Sequence, residues 1–343
     1  MSLLAWLGLR ERKVRESRWR RVVARASAPG KVILVGEHFV VENQPAIAVA
    51  LDLRARVTVE PLEGDFRVIV SSRNLGREEV FRPREVNESS PLYPPYYAAL
   101  KAMELIGRKI PLRILIDSEI PPAAGMGSSA SVAVATVAAV GAVLGIKLSK
   151  EDISRLAYQA EVLVHGRPSG IDNTIATYGG AIAYRKSEGF LELEADFSPV
   201  SLVLADSGIP RNTGEMVRKV RALLSKYPRV LEPLYHAAGH LAIEAGKAIE
   251  AGDFERLGEL MNVNHGMLAA VGVSNLTLET LVYRAREAGA LGAKITGAGG
   301  GGFIVALCWK EDAEKVAEAL REISPRVIVG SVASEGVRVE GPS

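Results

Sequence analysis

The chain has 343 residues, of which 48% are apolar and 24% are charged, with a formal net charge of +2. This is ordinary globular composition, and the length suits two domains or one large α/β domain. So small a charge excess gives no strong attraction to nucleic acid or to acidic membranes, and neither is expected as a partner.

The single cysteine, Cys308, excludes an internal disulfide framework and a cysteine-based zinc site. A reducing, cytoplasmic setting is therefore expected. Cys308 follows the apolar run 303–307 and is interpreted as a buried strand residue rather than a nucleophile.

Residues 1–20 are interpreted as an N-terminal extension. Their apolar stretch, residues 3–7, precedes a basic run, whereas a secretory signal has the reverse order and ends in small residues. The stretch is also far too short to cross a bilayer. This order favours a packed or frayed helical extension over a helix lying on a membrane surface, and no stable membrane insertion is expected.

Apolar patterning predicts mainly strands in the first part of the chain. Residues 21–26 and 31–35 form two such runs around a Pro-Gly turn at 27–30. In the later runs the residues are nearly all apolar, or apolar and polar residues partly alternate, as in a sheet covered on one face. These runs are residues 46–52, 55–60, 67–71 and 112–116. A helix is predicted between the last two, at residues 93–105.

Helical spacing begins at Ser128, with small side chains that permit close packing, and a second helix is predicted at 150–164. A strand follows at 179–184. Later strands mix with long helices predicted at 215–224, 235–251 and 278–288. The order indicates an α+β protein of two domains, with a boundary near residue 195, where the charged run 192–196 leads to Pro199.

The most informative segment is residues 120–131, Ile-Pro-Pro-Ala-Ala-Gly-Met-Gly-Ser-Ser-Ala-Ser. Two prolines stiffen the approach, two glycines let the backbone come close to a ligand, and hydroxyls stand where the helix begins. A helix N-terminus presents unpaired N–H groups and partial positive charge, which can receive phosphate. The alternative is a simple loop with Ser128 as N-cap. The segment is not a P-loop, because the Gly-Lys-Ser/Thr ending is missing.

Two further segments combine glycine with polar residues. In residues 27–38, Lys31 begins an apolar strand and Glu37-His38 ends it, so polar groups at both ends could converge on a pocket. Lys31 as a solvated strand-end charge is the alternative. Residues 293–303 place four consecutive glycines after Thr296 between two apolar strands. Such a loop favours positive φ angles or the close approach of a ligand over a merely flexible hairpin.

The three segments, in this order and spacing, resemble the motifs of the GHMP kinases over residues 27–306. The resemblance implies a two-domain fold, with an N-terminal domain like domain 2 of ribosomal protein S5 and a ferredoxin-like C-terminal domain. Residues 21–195 would form the ATP-binding domain and residues 196–343 the second. The middle motif would wrap the ATP phosphates, and the last glycine loop would brace it and border the substrate site.

Within the family, the first motif is most similar to that of members that phosphorylate mevalonate. Galactokinases resemble it at Gly36-Glu37-His38 but carry arginine where this chain has Lys31. Phosphomevalonate kinases of this fold usually lack the histidine at position 38. Further matches are the stretches 165–173 and 210–213 and the segment 264–274.

The resemblance also implies roles for individual residues. Asp172 would accept the proton of the substrate alcohol, with Lys31 as its partner, and Ser129 and Glu161 would bind Mg²⁺. ATP would be the co-substrate, with its phosphates held by Pro122, Ala123, Ala124, Gly125, Met126, Gly127, Ser128, Ser129 and Ala130. Mevalonate would be bound by Lys31, Glu37, His38, Asp172, Thr213, Gly297 and Ala298.

Two alternatives to mevalonate 5-phosphorylation stay open at this point. One is a related kinase that acts on phosphomevalonate, on the 3-hydroxyl of mevalonate or on a sugar. The other is a non-enzymatic relative that only binds a ligand or a protein, against which the joint presence of Lys31, Ser129, Glu161 and Asp172 argues. A homodimer is neither required nor excluded.

Overall fold

The computed structural model describes residues 22–121, 124–166 and 168–340. The N-terminal extension expected at residues 1–20 lies outside this part of the chain. So do Pro122 and Ala123 of the expected phosphate loop.

Eight strands form the first sheet: β1 (Ala24–Val35), β2 (Ala46–Pro61), β3 (Val68–Ser72), β4 (Arg77–Phe81), β5 (Leu112–Ser118), β6 (Ala181–Arg185), β7 (Gly189–Leu193) and β12 (Arg338–Glu340). Their order is β12-β1-β2-β5-β3-β4, and β6 pairs with both β2 and β7. All pairings are antiparallel except that of β3 with β5. The long strands β1 and β2 form the spine of this sheet.

Four helices belong to the same half: α1 (Tyr93–Ile106), α2 (Ser128–Val143), α3 (Lys150–His165) and α4 (Ile171–Tyr178). Alanine and valine dominate α2, and most of its 16 residues are buried. A helix that is apolar on every side must be enclosed, and α2 packs against β1, β2, α1 and α3. This enclosure fixes the start of α2 over the middle of β1.

The second sheet contains β8 (Val200–Asp206), β9 (Gly292–Ile295), β10 (Phe303–Trp309) and β11 (Val327–Gly330), in the antiparallel order β11-β8-β10-β9. Its helices are α5 (Thr213–Lys226), α6 (Pro228–Glu250), α7 (Phe254–Ala270), α8 (Leu276–Glu287) and α9 (Ala313–Arg321). Helices separate β8 from β9 and β10 from β11, which is the β-α-β-β-α-β arrangement of ferredoxin-like domains. The expected two-domain α+β fold is confirmed.

The structure corrects two details of the strand prediction. The expected turn at residues 27–30 is absent, because β1 runs unbroken through it; the register shifts between Pro29 and Gly30, where β2 carries the extra residues Asp52 and Leu53. Likewise, β2 is one strand instead of two. Pairing along the whole length of both strands outweighs the local turn preference of a single Pro-Gly pair.

The expected division between residues 195 and 196 falls in the segment that joins β7 to β8, and it stays a prediction. One strand crosses it: β12, at the end of the chain, pairs with β1 in the first sheet. The two halves also share an apolar cluster, in which Val32 and Leu34 lie with Leu202 and Leu241. Among the described helices, none is both long and apolar enough to cross a membrane.

Arg54 holds the end of the chain against the first sheet. It lies on β2, is 2% exposed, and donates to the Ser27 hydroxyl at 3.0 Å and to the carbonyl oxygens of Ser27, Glu335 and Gly336. Burial is the largest influence on its pKa, which is lowered. Hydrogen bonds compensate for the loss of hydration of the buried guanidinium, and the same bonds anchor the segment before β12.

We expect Arg54→Met to lower the free energy of unfolding by about 1–3 kcal/mol, because the buried carbonyl groups of Ser27 and Gly336 would lose a donor. Arg56→Met is the matched control on the same strand. It removes an exposed ion pair with Glu119, 2.6 Å long, and should cost about 1 kcal/mol or less. Urea unfolding of both variants measures the difference, and equal effects would show that the Arg54 contacts add nothing.

Candidate active site

The glycine-rich segment ends at the start of α2, as the sequence predicts. Gly125 and Gly127 have φ angles of 80° and 71°, in the left-handed region that favours glycine. Gly127 is the N-cap of α2, and no side chain caps the helix there. The first-turn N–H groups of α2 are therefore not capped by a side chain, which suits a helix start that receives an anion.

Lys31 and Asp172 form an ion pair beside this helix start. The Lys31 ammonium lies 3.1 Å from Asp172 Oδ1, and the lysine is 6% exposed. The Lys31 N–H donates to the Met126 carbonyl at 2.9 Å, which joins β1 to the glycine-rich segment. A Cβ on Gly127 would lie 3.0 Å from Lys31 Cγ. Lys31 is therefore a buried, paired charge, and its interpretation as a solvated strand end is excluded.

Glu161 adds a second carboxylate to the cluster. The Ser129 hydroxyl, in the first turn of α2, donates to Glu161 Oε1 on α3 at 2.6 Å. Burial raises the pKa of Glu161 to about 7; the Ser129 hydrogen bond lowers it, and the charge of Asp172 raises it further. Because Lys31 and Asp172 both act on this carboxylate, the four predicted residues share one site.

This site fits a divalent cation that is completed by the nucleotide. The described residues contain no group of three or more acidic, histidine or cysteine side chains placed to hold a metal. Magnesium needs no such group, since it commonly takes one or two protein oxygens together with phosphate oxygens and water. Glu161 and Ser129 offer a carboxylate and a hydroxyl, and a cation would favour the charged form of a carboxylate that burial otherwise disfavours.

The turn after β1 faces the second half of the chain. Glu37 is 2% exposed, and its carboxylate accepts from the Lys294 ammonium on β9 and from the Asn264 side chain on α7. The Nε2 atom of His38 lies 2.8 Å from the Ala298 carbonyl in the last glycine loop. Burial lowers the pKa of His38, which favours its neutral form. The predicted residues Glu37, His38 and Ala298 are thus neighbours.

Arg211 is a site residue that the sequence prediction did not include. A side chain at either Gly125 or Gly297 would overlap its guanidinium, so Arg211 lies between the two glycine loops. Burial lowers the pKa of Arg211, and the charge of Asp172 raises it, which brings it into the same electrostatic site. It does fall in the matching stretch 210–213, but of that stretch only Thr213, the exposed first residue of α5, was given a role.

Charge and geometry locate this site better than cavity size does. A cavity of about 520 Å³ lies elsewhere, lined by residues that include Leu193, Phe197 and Ser331. None of the charged groups of the Lys31–Asp172 cluster contributes to its wall.

Comparison with known proteins agrees with these motifs. The family model for the GHMP kinases N terminal domain matches residues 96–180, and the one for GHMP kinases C terminal matches residues 246–325. The mevalonate kinase of Aeropyrum pernix is 43% identical over 323 residues, which cover 93% of this chain and 99% of that protein. The chain belongs to the GHMP kinase family.

Other members of the family are similar over the same length. The mevalonate kinase of Pyrococcus furiosus is 39% identical, with 92% of this chain and 98% of that protein covered. The crystal structure of L. major mevalonate kinase in complex with R-mevalonate matches with a TM-score of 0.77 and 31% identity, covering 89% of this chain and 94% of that one. Lactococcus lactis galactokinase complexed with galactose, at 22% identity and a TM-score of 0.75, covering 92% and 95%, shares the fold.

The raised pKa of Glu161 predicts a pH-dependent stability without nucleotide. The pKa of Glu161 in the folded protein, about 7, exceeds the ordinary value of 4.5. The contribution of Glu161 to the free energy of unfolding is therefore fully present below pH 4.5 and is lost as the pH rises through 7. Gln at this position does not ionise. The stability of Glu161→Gln relative to the unchanged protein should therefore increase by about 2 kcal/mol between pH 5 and pH 8.

Urea unfolding at both pH values, without Mg²⁺ or nucleotide, measures this difference. Glu318→Gln on α9 is the control, since it makes the same change at an exposed side chain. A pH-independent effect of Glu161→Gln would contradict the raised pKa.

Proposed function

We propose that this chain acts as a mevalonate kinase, which transfers the γ-phosphoryl group of ATP to the 5-hydroxyl of mevalonate and gives 5-phosphomevalonate and ADP. The observation that carries the proposal is the Lys31–Asp172 ion pair beside the uncapped start of α2. Relatives named mevalonate kinase, at 38–43% identity over most of the chain, support the choice of substrate.

In this proposal Asp172 is the base. A primary alcohol is a poor nucleophile, and a carboxylate within hydrogen-bond distance assists by accepting its proton. Asp172 lies in the first turn of α4 and keeps 30% of its side chain exposed, so a substrate hydroxyl can reach it. Lys31 holds this carboxylate in place, and its ammonium stabilises negative charge that develops on the alcohol oxygen.

The remaining charged groups serve the phosphates. Phosphoryl transfer depends mainly on positioning and on neutralising charge, and the start of α2 and the Arg211 guanidinium supply both near the Lys31–Asp172 pair. Mg²⁺ bound through Ser129 and Glu161 would neutralise the nucleotide phosphates further. We place His38, Thr213 and the loop residues Gly297 and Ala298 on the mevalonate side. Glu37 belongs to the same turn but points to Lys294.

Substrate choice is tested by ADP release with mevalonate, phosphomevalonate, galactose and homoserine as acceptors. We expect kcat/KM for mevalonate to exceed that for each of the others by about 10²-fold or more, since buried polar contacts reject acceptors that cannot match them. Phosphorus NMR of the product distinguishes the 5-phosphate from the 3-phosphate. A preference for phosphomevalonate or galactose, or a 3-phosphate product, would assign the chain to a different activity within the family.

The base is tested by Asp172→Asn, which keeps the size of the side chain but cannot accept the proton. We expect kcat to fall by roughly 10²–10⁴ with little change in ATP affinity. Lys31→Met should also lower kcat, and the double variant should lose less than the product of the two factors, because the pair acts as a unit.

Asp152→Asn on α3 is the matched control, since it alters an exposed carboxylate that pairs with Arg155. Thermal melting and ATP titration establish that each variant is folded and binds nucleotide. A folded, ATP-binding Asp172→Asn variant with nearly normal kcat would eliminate Asp172 as the base.

A further inference from the structure

Glu37 is bound by groups from the other half of the chain. Its Oε1 accepts from the Lys294 ammonium, and its Oε2 accepts from the Asn264 side chain at 3.4 Å. Asn264 also accepts from the N–H of Gly36 through its Oδ1 at 3.2 Å. Glu37 is 2% exposed, so a substrate could reach its carboxylate only if these bonds were broken.

Lys294 is enclosed completely and is fully paired. Its exposed fraction is 0%, and its three protons match three acceptors: Glu37 Oε1, the Ile33 carbonyl at 3.3 Å and the Ile295 carbonyl at 2.6 Å. Two of these acceptors lie on or just after β1, whereas Lys294 lies on β9. The lysine therefore connects the first sheet to the second at the turn that follows β1.

His38 stands next to this connection in a conformation that is unusual for its residue type. Its φ angle is 63°, in the left-handed region that a side chain with a Cβ rarely adopts. Such a conformation is unfavourable by itself and is retained only when its surroundings fix it. Here Glu37 is fixed by Lys294 and Asn264, and His38 itself binds the Ala298 carbonyl at 2.8 Å.

We propose that Lys294 is a positioning residue for the turn Gly36-Glu37-His38, and that Glu37 acts by holding this turn and not by touching the substrate. The inference rests on the proposed function, because His38 is the member of the turn that we place against mevalonate. Lys294 thus acts on substrate binding through Glu37, from a point that no solvent or substrate reaches.

The test compares Glu37→Gln, Lys294→Met and the double variant. Removing one partner of a buried ion pair is strongly destabilising, whereas removing both charges often is not. If a single variant does not fold, the double variant can therefore still be measured. Arg284→Met is the control, since it breaks an exposed ion pair with Glu322 in the same domain. The measurements are melting temperature, kcat, and KM for mevalonate and for ATP.

We expect KM for mevalonate to rise about tenfold or more in the double variant, with KM for ATP changed about twofold or less. KM for mevalonate in the double variant should not exceed KM in the more affected single variant, because both residues act through the same turn. A folded double variant with unchanged KM for mevalonate would overturn the inference. So would a folded Lys294→Met with normal KM beside an impaired Glu37→Gln, since that pattern indicates direct contact of Glu37 with the substrate.

A second readout needs no substrate. The chain has five histidines, and the resonance of His38 can be assigned by its loss in His38→Asn. Burial lowers the pKa of His38 in the unchanged protein, while the charge of Glu37 raises it and that of Lys294 lowers it. The double variant removes both of these opposing charges, and loosening of the turn should then move the NMR titration of His38 toward the ordinary value of 6.5. An unmoved titration in the double variant would overturn the inference even if mevalonate proved not to be the substrate.

Discussion

Lys31 makes two bonds, one from its backbone and one from its side chain, where β1 passes under the start of α2. Much of the site depends on this crossing. Its N–H binds the Met126 carbonyl, and its ammonium binds Asp172. A lysine that is 6% exposed must be paired, because an isolated buried ammonium would be driven to neutralise. The pair therefore fixes α4 against β1, and the crossing requires glycine at position 127, where a Cβ would crowd the lysine stem.

Much of the site is built from charges that would be unfavourable alone. Glu161 is pushed by burial toward its neutral form, and Lys294 is tolerated without solvent because carboxylate and carbonyl oxygens surround it. Such groups contribute little to stability by themselves. In the proposed function a cation would complete the pairing of Glu161, whereas Lys294 is already fully paired, so only the Glu161 group gives up stability of the empty protein in favour of binding.

The two halves of the chain meet through contacts that differ in kind. Apolar residues of both sheets share one cluster, and this non-directional packing holds the two halves together. The directional contacts are polar: Lys294 and Asn264 bind Glu37, and Arg211 lies between Gly125 and Gly297. These contacts set the distance between the loop that would hold phosphate and the turn that would hold the alcohol, which is the geometry that in-line transfer requires.

The sequence by itself determined the α+β fold, the family and the residues whose motifs are local, such as the glycines and hydroxyls before α2 and the lysine that begins an apolar run. These features could be predicted because each of their signals lies within a short, continuous stretch of the sequence. Only the tertiary structure decided that Glu37 turns away to a lysine 257 positions later, that Arg211 fills the gap between two loops, and that β12 pairs with β1. Burial and pairing between distant segments have no local periodicity, so a single sequence does not display them.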